Sequence, residues 1–381
     1  MDREFDVIVY GGTGYTGRLV AEYLIRAGGK TRWAMAGRSQ QKLQEVRDLL
    51  GASASVPLIV ADAHEPAALM ALAESTRVVL TTAGPYQLYG DDLVAVCAAA
   101  GTDYVDLTGE SNWIAKMMAA HEATAKARGA RLMFSCGFDS VPFDLGVYFV
   151  EEEAKKRFGA YAPRVRGRVR AMNGGLSGGT MASGQATAAA IQKDPSLMAM
   201  MADPFALTPG FKGPPQPDMN TAYEDKVTGS WVGPFMMAGI NTKAVHRSNQ
   251  LLGHRWGTDF QYDEMTMTAG PGGGGQASFS MTGGLKPGEG PTKAEREAGF
   301  YDLLYIAEYP DGRTFRAAVK GDMDPGYGST SKIIAESALC LAFDVSRERT
   351  PGGCWTSASA MGQALIDRLQ TRAGVTFTVE S

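Results

Sequence analysis

The chain begins with a short apolar run, then closely spaced glycines, then an apolar pattern of helical period. Residues 5–10 predict a buried strand, and residues 15–27 predict a helix. The glycines between them fit both G-x-G-x-x-G and G-x-x-G-x-x-G. This context predicts a loop that holds a dinucleotide, with the pyrophosphate on free amides at the helix N-terminus. An ordinary glycine-rich turn is the less favoured interpretation.

The same alternation of apolar strands and helical segments continues to residue 142. Strands are predicted at 32–37, 56–60, 78–82, 104–107 and 131–134. Such repetition predicts an α/β fold with a doubly wound parallel sheet of Rossmann type, whose ligand crevice lies at the C-terminal ends of the strands. The cofactor-binding candidates on that edge are Gly11, Gly12, Thr13, Gly14, Tyr15, Thr16, Gly17, Arg38, Ser39, Asp62, Ala83, Gly84 and Pro85.

The end of the second strand indicates which dinucleotide binds. An NAD site places a carboxylate about 20 residues after the glycines, whereas an NADP site places an arginine there for the 2′-phosphate. Arg38 and Ser39 occupy this position, and no acid does. The sequence therefore favours NADP(H), with a solvated loop arginine as the alternative. Asp62, which follows the third strand, is expected either to touch the adenine or to cap a turn.

After residue 142 the pattern changes. A charged helix is predicted at about 143–158, and residues 164–170 alternate so that four arginines share one strand face. We interpret that face as solvated, with a patch for a phosphate-bearing carrier or an anionic membrane as the alternative. Segments 259–269, 276–282, 300–308 and 313–319 predict a mostly antiparallel sheet. The expected domains are 1–142, then an inserted α+β domain at 143–325, then 326–381 packing back on the first.

Composition describes a folded globular protein and limits its partners. Hydrophobic residues make up 44% and charged residues 20%, and the net charge of −4 gives no reason to expect nucleic acid. Four separated cysteines suggest reduced thiols, without disulfides or a metal site. No signal peptide or membrane span is apparent, so we expect a cytoplasmic protein. A peripheral contact with the inner face of the plasma membrane, and a homodimer, are left open.

Several segments together resemble one family. They are residues 11–17, 37–39, 83–86, 136–146, 326–341 and 356–362. In these segments the chain resembles the saccharopine dehydrogenase-like oxidoreductases, and among them the branch of trans-acting enoyl reductases. The resemblance implies a Rossmann domain, an inserted α+β domain with a mixed sheet, and a C-terminal return. It also implies that NADPH reduces a carbon–carbon double bond in an acyl chain carried by a synthase.

Reduction of an enoyl thioester needs a hydride at the β-carbon, a proton at the α-carbon and donors for the enolate oxygen. The candidate catalytic donors are Tyr86, Tyr327 and Lys332. Asp139 and Cys136 are expected to line the site, although Asp139 equally suits an N-cap for the following helix. His246, near Asn241 and Arg247, is another candidate whose more common role is structural.

Two other functions remain open at this point. One is reduction of an imine or a small carbonyl compound. The other is a redox sensor that binds NADP without turnover.

Overall fold

The structure is a computed structural model, and it describes residues 3–27, 29–51, 55–175, 177–271, 276–280, 286 and 288–380. The glycine loops expected at 270–275 and 283–291 lie partly outside these residues. The strands are β1 (Phe5–Tyr10), β2 (Trp33–Gly37), β3 (Leu58–Val60), β4 (Thr76–Thr81), β5 (Asp103–Val105), β6 (Arg131–Met133), β7 (Arg164–Gly175), β8 (Tyr223–Asp225), β9 (Ser230–Pro234), β10 (Gln261–Thr268), β11 (Gln276–Ser280), β12 (Phe300–Glu308), β13 (Thr314–Gly321), β14 (Gly353–Trp355) and β15 (Val375–Val379).

The helices alternate with the first six strands and then fill the gaps of the second half. They are α1 (Tyr15–Ala27), α2 (Gln40–Leu49), α3 (Pro66–Ser75), α4 (Tyr86–Tyr89), α5 (Asp91–Ala100), α6 (Ser111–Arg128), α7 (Val141–Phe158), α8 (Gly178–Lys193), α9 (Leu197–Ala202), α10 (Ala238–Leu251), α11 (Lys293–Ala298), α12 (Thr330–Phe343), α13 (Ser357–Ala360) and α14 (Gln363–Arg368). Two π-helical turns span Pro325–Ser329 and Leu369–Ala373.

The first sheet is fully parallel and has the order β14-β6-β5-β4-β1-β2-β3. Every residue of β1 is buried, as expected for a strand covered by helices on both faces. The chain order reverses beside β1, because β2 lies on one side of it and β4 on the other. A crevice therefore opens at the C-terminal ends of these strands, and the predicted doubly wound α/β fold is confirmed.

The second sheet is mixed and mostly antiparallel, in the order β15-β13-β12-β7-β10-β9-β8, with β11 also pairing with β7. The pairs β7–β10 and β7–β11 are parallel, and the other pairs are antiparallel. The sequence segments that carried β-formers supply β10 to β13. The α+β character expected after residue 142 is confirmed by this sheet and by helices α7 and α10, which contact each other and strands of the sheet.

The C-terminal segment is shared between the two sheets. Strand β14 pairs with β6 and extends the first sheet, whereas β15 pairs with β13 at the edge of the second. The expectation that the last strand packs on the first domain is therefore wrong for β15. The sequence predicts one long helix over 358–372, and this helix is broken, because Gly362 has a φ of +45° and a side chain there would crowd Tyr148. The domain limits at 142 and 325 stay a prediction.

The arginine-rich strand β7 is not solvated, contrary to the interpretation of its pattern. It lies inside the second sheet between β12 and β10, so acidic side chains from neighbouring strands meet its arginines. The Arg168 side chain is fully buried and contacts Asp225 and Asp263 at 2.8 and 2.7 Å. Arg170 contacts Asp302 and Glu380, both at 2.7 Å. These ion pairs neutralise the face, which removes the basis for a phosphate or membrane patch there.

We expect Arg168→Met to lower the free energy of unfolding by about 3–5 kcal/mol, because Asp225 and Asp263 would stay buried without their counter-charge. Urea unfolding at neutral pH, followed by circular dichroism, measures the change. The control is Arg26→Met, whose exposed pair with Glu22 is expected to contribute about 0–1 kcal/mol. Equal losses in the two variants would contradict the role of burial.

Candidate functional site

The glycine loop has the close backbone approach that a dinucleotide cradle needs. The φ of Gly11 is +84°, and the amides of Gly11 and Gly12 donate to the Ala36 carbonyl at 3.0 and 3.1 Å. A Cβ on Gly17 would lie 2.2 Å from the Gly11 oxygen, so only glycine lets α1 pack against the end of β1. The first-turn amides of α1 then face the crevice without helical acceptors, as a bound pyrophosphate requires.

The end of β2 carries a cation suited to a 2′-phosphate. Arg38 is exposed, and no described residue forms a hydrogen bond or an ion pair with its guanidinium. Ser39 caps α2 by accepting from the Lys42 amide at 3.3 Å, which leaves its hydroxyl proton for another acceptor. Asp62 accepts from the His64 amide at 3.0 Å, which matches the turn-capping interpretation. A contact between Asp62 and adenine stays a prediction.

The loop after β4 is held in place by a buried carboxylate. The amides of Tyr86 and Gln87 donate to the two oxygens of Glu110, at 3.0 and 2.8 Å. Ala83, Gly84 and Pro85 precede this anchor at the C-terminal edge of the sheet. A Cβ on Gly84 would lie 3.7 Å from Ser183 Oγ, so α8 passes beside this loop.

A second buried carboxylate joins the loops after β5 and β6. Asp106 accepts from the amides of Thr108 and Ser135, at 3.0 and 2.9 Å, and from the hydroxyl of Tyr104 at 2.8 Å. Burial raises the pKa of Asp106 to about 7, and these three donors oppose that rise. Sequence reasoning missed Asp106 and Glu110 as anchors, although Asp106 lies in the predicted strand 104–107 and Glu110 lies in the loop after it.

Two of the three predicted catalytic donors are engaged in structural contacts. The hydroxyl of Tyr86 is buried, donates to the Thr81 carbonyl at 3.2 Å and accepts from the Leu107 amide at 3.3 Å. Lys332 pairs with Asp322 at 3.0 Å beside α1 and donates to a backbone carbonyl. A catalytic role for Tyr86 or Lys332 stays a prediction.

Tyr327, the third predicted donor, lies next to the glycine loop. Its ring packs edge-on against Tyr15, with 5.1 Å between the ring centroids. Its hydroxyl accepts from the Ser177 amide at 2.5 Å and lies 2.6 Å from Thr180 Oγ1, at the start of α8. This position links α8 to the cofactor loop, and a catalytic role for Tyr327 stays a prediction.

Residues from the second half of the chain also form hydrogen bonds directly with the start of α1, next to the glycine loop. The Tyr15 hydroxyl donates to the Pro291 carbonyl and accepts from Arg296 at 2.9 Å. Arg18 donates to the Gly288 carbonyl at 2.7 Å. These bonds fix the start of α1 against the segment before α11, a contact that no sequence pattern indicated.

The remaining candidates differ in what surrounds them. His246 is buried against Phe205, and burial lowers its pKa to about 3, so it is neutral and packed as a core residue. Arg247 contacts Glu122 and the Cys354 carbonyl. The Cys136 thiol is buried, which raises its pKa well above the usual range.

Asp139 does not cap α7, because Ser140 holds the N-cap position and makes no side-chain bond there. The N-cap interpretation of Asp139 is therefore wrong. Its Oδ1 is buried and has no hydrogen-bond partner among the residues that the structure describes.

Three further findings concern cysteines, metal ions and membrane-spanning helices. All four cysteines are free and buried. In the described part of the chain, no cluster of three or more His, Cys, Asp or Glu side chains could hold a metal ion. No helix of the described part is both long and apolar enough to cross a membrane.

Comparison with known proteins identifies the family. The family model for the saccharopine dehydrogenase NADP binding domain matches residues 7–133. A Mycobacterium tuberculosis protein named "Putative trans-acting enoyl reductase" is 40% identical, over 98% of this chain and 97% of its own. The chain belongs to the saccharopine dehydrogenase-like oxidoreductases. A Mycobacterium leprae relative named "Trans-acting enoyl reductase" is 36% identical, over 98% of this chain and 97% of its own.

The fold of the family is known from a solved structure. Apo saccharopine dehydrogenase (L-Glu forming) from Saccharomyces cerevisiae matches with a TM-score of 0.56 and 13% identity, covering 99% of this chain and 100% of that one. This likeness confirms the two-sheet α/β architecture. Together with the glycine cradle and Arg38, the family assignment makes the chain an NADP(H)-dependent oxidoreductase.

We expect Arg38→Glu to weaken NADPH binding by on the order of 10- to 100-fold, because a charged hydrogen-bonded contact with the 2′-phosphate contributes about 1.5–3 kcal/mol. NADH, which lacks that phosphate, should bind about as it does to the wild type. Isothermal titration of both dinucleotides measures the difference, and Arg26→Glu on α1 is the control of equal charge change. An equal loss for NADPH and NADH would contradict the assignment of Arg38.

Proposed function

We propose that this chain reduces the α,β double bond of an acyl thioester, with NADPH as the reductant and with the acyl group attached to a carrier. The observation that carries the proposal is the 36–40% identity, over nearly the whole chain, to relatives named as trans-acting enoyl reductases. The name of those relatives describes action on an acyl chain held by another protein. A carrier-bound substrate suits a crevice that opens at the protein surface.

The residues on the crevice edge support this reaction. Bound NADPH supplies a hydride to the electrophilic carbon of its substrate. The glycine cradle and the Arg38 guanidinium hold the dinucleotide, while Glu110 and Asp106 fix the three loops on the side where a substrate would lie. Preorganised loops of this kind lower the barrier because they need no rearrangement during the reaction.

Large apolar side chains are exposed on α4, α8 and α9. Leu88 on α4 is 55% exposed, and Met181 and Met198 on α8 and α9 are 45% and 63% exposed. The Gln87 side chain donates to Thr187 Oγ1 at 3.0 Å, which joins α4 to α8 beside the loop after β4. Exposed methionines adapt to flexible apolar ligands, which supports an acyl chain over a small polar imine as the substrate.

We expect the protein to oxidise NADPH with trans-2-enoyl thioesters of pantetheine or of an acyl carrier protein, and to yield the saturated thioester. Absorbance of NADPH and mass spectrometry of the acyl product measure the reaction. The comparison substrates are mixtures of an amine with a keto acid, which form imines. Turnover of those mixtures alone would favour imine reduction, and bound NADPH that no substrate oxidises would favour a sensor.

A further inference from the structure

The loop after β6 is fixed at both ends and contains a carboxyl that the contacts described so far do not use. This loop, residues 134–140, lies at the C-terminal edge of the first sheet. The Ser135 amide donates to Asp106, and the Phe138 amide donates to Thr330 Oγ1 at 2.9 Å. Asp139 therefore occupies a defined position on the same edge as the loops after β4 and β5.

The Asp139 carboxyl is buried, but its hydrogen-bonding capacity is not fully used by the described residues. Its Oδ1 is buried without a hydrogen-bond partner among the described residues, while the residue as a whole is only half-buried. A buried acceptor without a donor costs about 1–3 kcal/mol, and more when it is charged. Burial accordingly raises the pKa of Asp139 to about 7, so the carboxyl holds a proton in much of the neutral range.

Burial is the cause of that raised pKa, and Asp139 in turn affects the titration of Glu264. Glu264 on β10 is fully buried and accepts from Asn241 Nδ2 at 2.7 Å and from the Tyr262 hydroxyl at 2.9 Å. Burial raises the pKa of Glu264 to about 8, and the charge of Asp139 contributes to that rise. Asn241 on α10 is neutral, and its Oδ1 also has no partner among the described residues. The hydroxyl of Tyr305 on β12 donates to the Pro142 carbonyl.

Other buried carboxyls in the described chain lack this combination of features. Asp106 accepts three hydrogen bonds, and both oxygens of Asp144 accept from Ser248, Ser357 or the Ala358 amide. Glu151 has an unpartnered Oε1, but it lies well along α7 and binds the Ala162 amide, away from the loops of the crevice. Among these carboxyls, only that of Asp139 at once has an oxygen without a partner, belongs to a partly exposed residue and lies at the C-terminal edge of the first sheet.

Building on the proposed enoyl reduction, we propose that Asp139 is the general acid that protonates the α-carbon of the substrate. Hydride arrival at the β-carbon moves the π electron pair to the α-carbon and the thioester oxygen. The Asp139 O–H bond then breaks, a C–H bond forms at the α-carbon, and the carboxylate is protonated again from solvent. Such a step needs a carboxyl that is protonated before the reaction and close to the crevice.

The direct test is Asp139→Asn, which keeps the size of the side chain and removes the transferable proton. We expect its kcat with an enoyl thioester to fall by on the order of 10²- to 10⁴-fold, with the Kd for NADPH within about twofold of the wild type. The matched control is Glu151→Gln, which also removes a buried carboxyl with an unpartnered oxygen. Its kcat should stay close to that of the wild type.

The pH dependence and an infrared measurement supply independent readouts. The wild-type kcat should fall as pH rises through about 7, because only the protonated acid is active, and Asp139→Asn should lack this fall. In the cofactor-free protein, the infrared carbonyl band of a protonated carboxyl should decrease over the same pH range. That change should persist in full in Glu151→Gln and become smaller in Asp139→Asn, where Asp106 and Glu264, with pKa values of about 7 and about 8, still contribute to it.

Glu264→Gln tests the same assignment with Asp139 left in place. Burial keeps the Glu264 carboxyl protonated up to about pH 8, so its removal should leave the fall of kcat at about pH 7. An Asp139→Asn variant with less than a tenfold loss of kcat, or with an unchanged infrared titration, would overturn the proposed acid. A wild type that reduces no enoyl thioester would instead refute the proposed function, and the acid with it.

Discussion

The crevice depends on two buried carboxylates that fasten adjacent loops at one edge of the parallel sheet. Parallel strands end with carbonyls and amides that must find partners outside the sheet, and loops there would otherwise be free to move. Glu110 binds the backbone after β4, and Asp106 binds the backbone after β5 and β6. The nicotinamide side of the crevice therefore has a fixed wall.

The second sheet and the segments around it also help to hold the cofactor loop in place. Its strand β7 buries Arg168 against Asp263 on the adjacent strand β10 and against Asp225 on β8. The segments around this sheet then reach back to the first, where Arg296 meets Tyr15 and Tyr327 packs on the same ring. The cofactor loop is thus shaped by its own glycines and also held by residues nearly 300 positions further along the chain.

Most polar groups on the crevice edge serve to hold backbone in place. Tyr86 and Asp106 form hydrogen bonds with protein partners and Lys332 pairs with Asp322, so these groups stabilise the loops and helices around them. Asp139 differs because the fold encloses its carboxyl without giving Oδ1 a donor. A buried oxygen without a partner at the edge of the crevice is more consistent with chemistry than with stability.

The sequence by itself determined the parallel sheet, the glycine cradle and the preference for NADP. Those features depend on local rules: strand and helix periods, the small size of glycine at positions 11 and 17, and the place of Arg38 after β2. Tertiary structure decided the environment of each side chain, because burial and partners come from distant strands. It paired the arginines of β7 with acidic side chains and placed β15 in the second sheet. It also engaged Tyr86 and Lys332 in contacts with protein partners and left Asp139 buried close to Glu264.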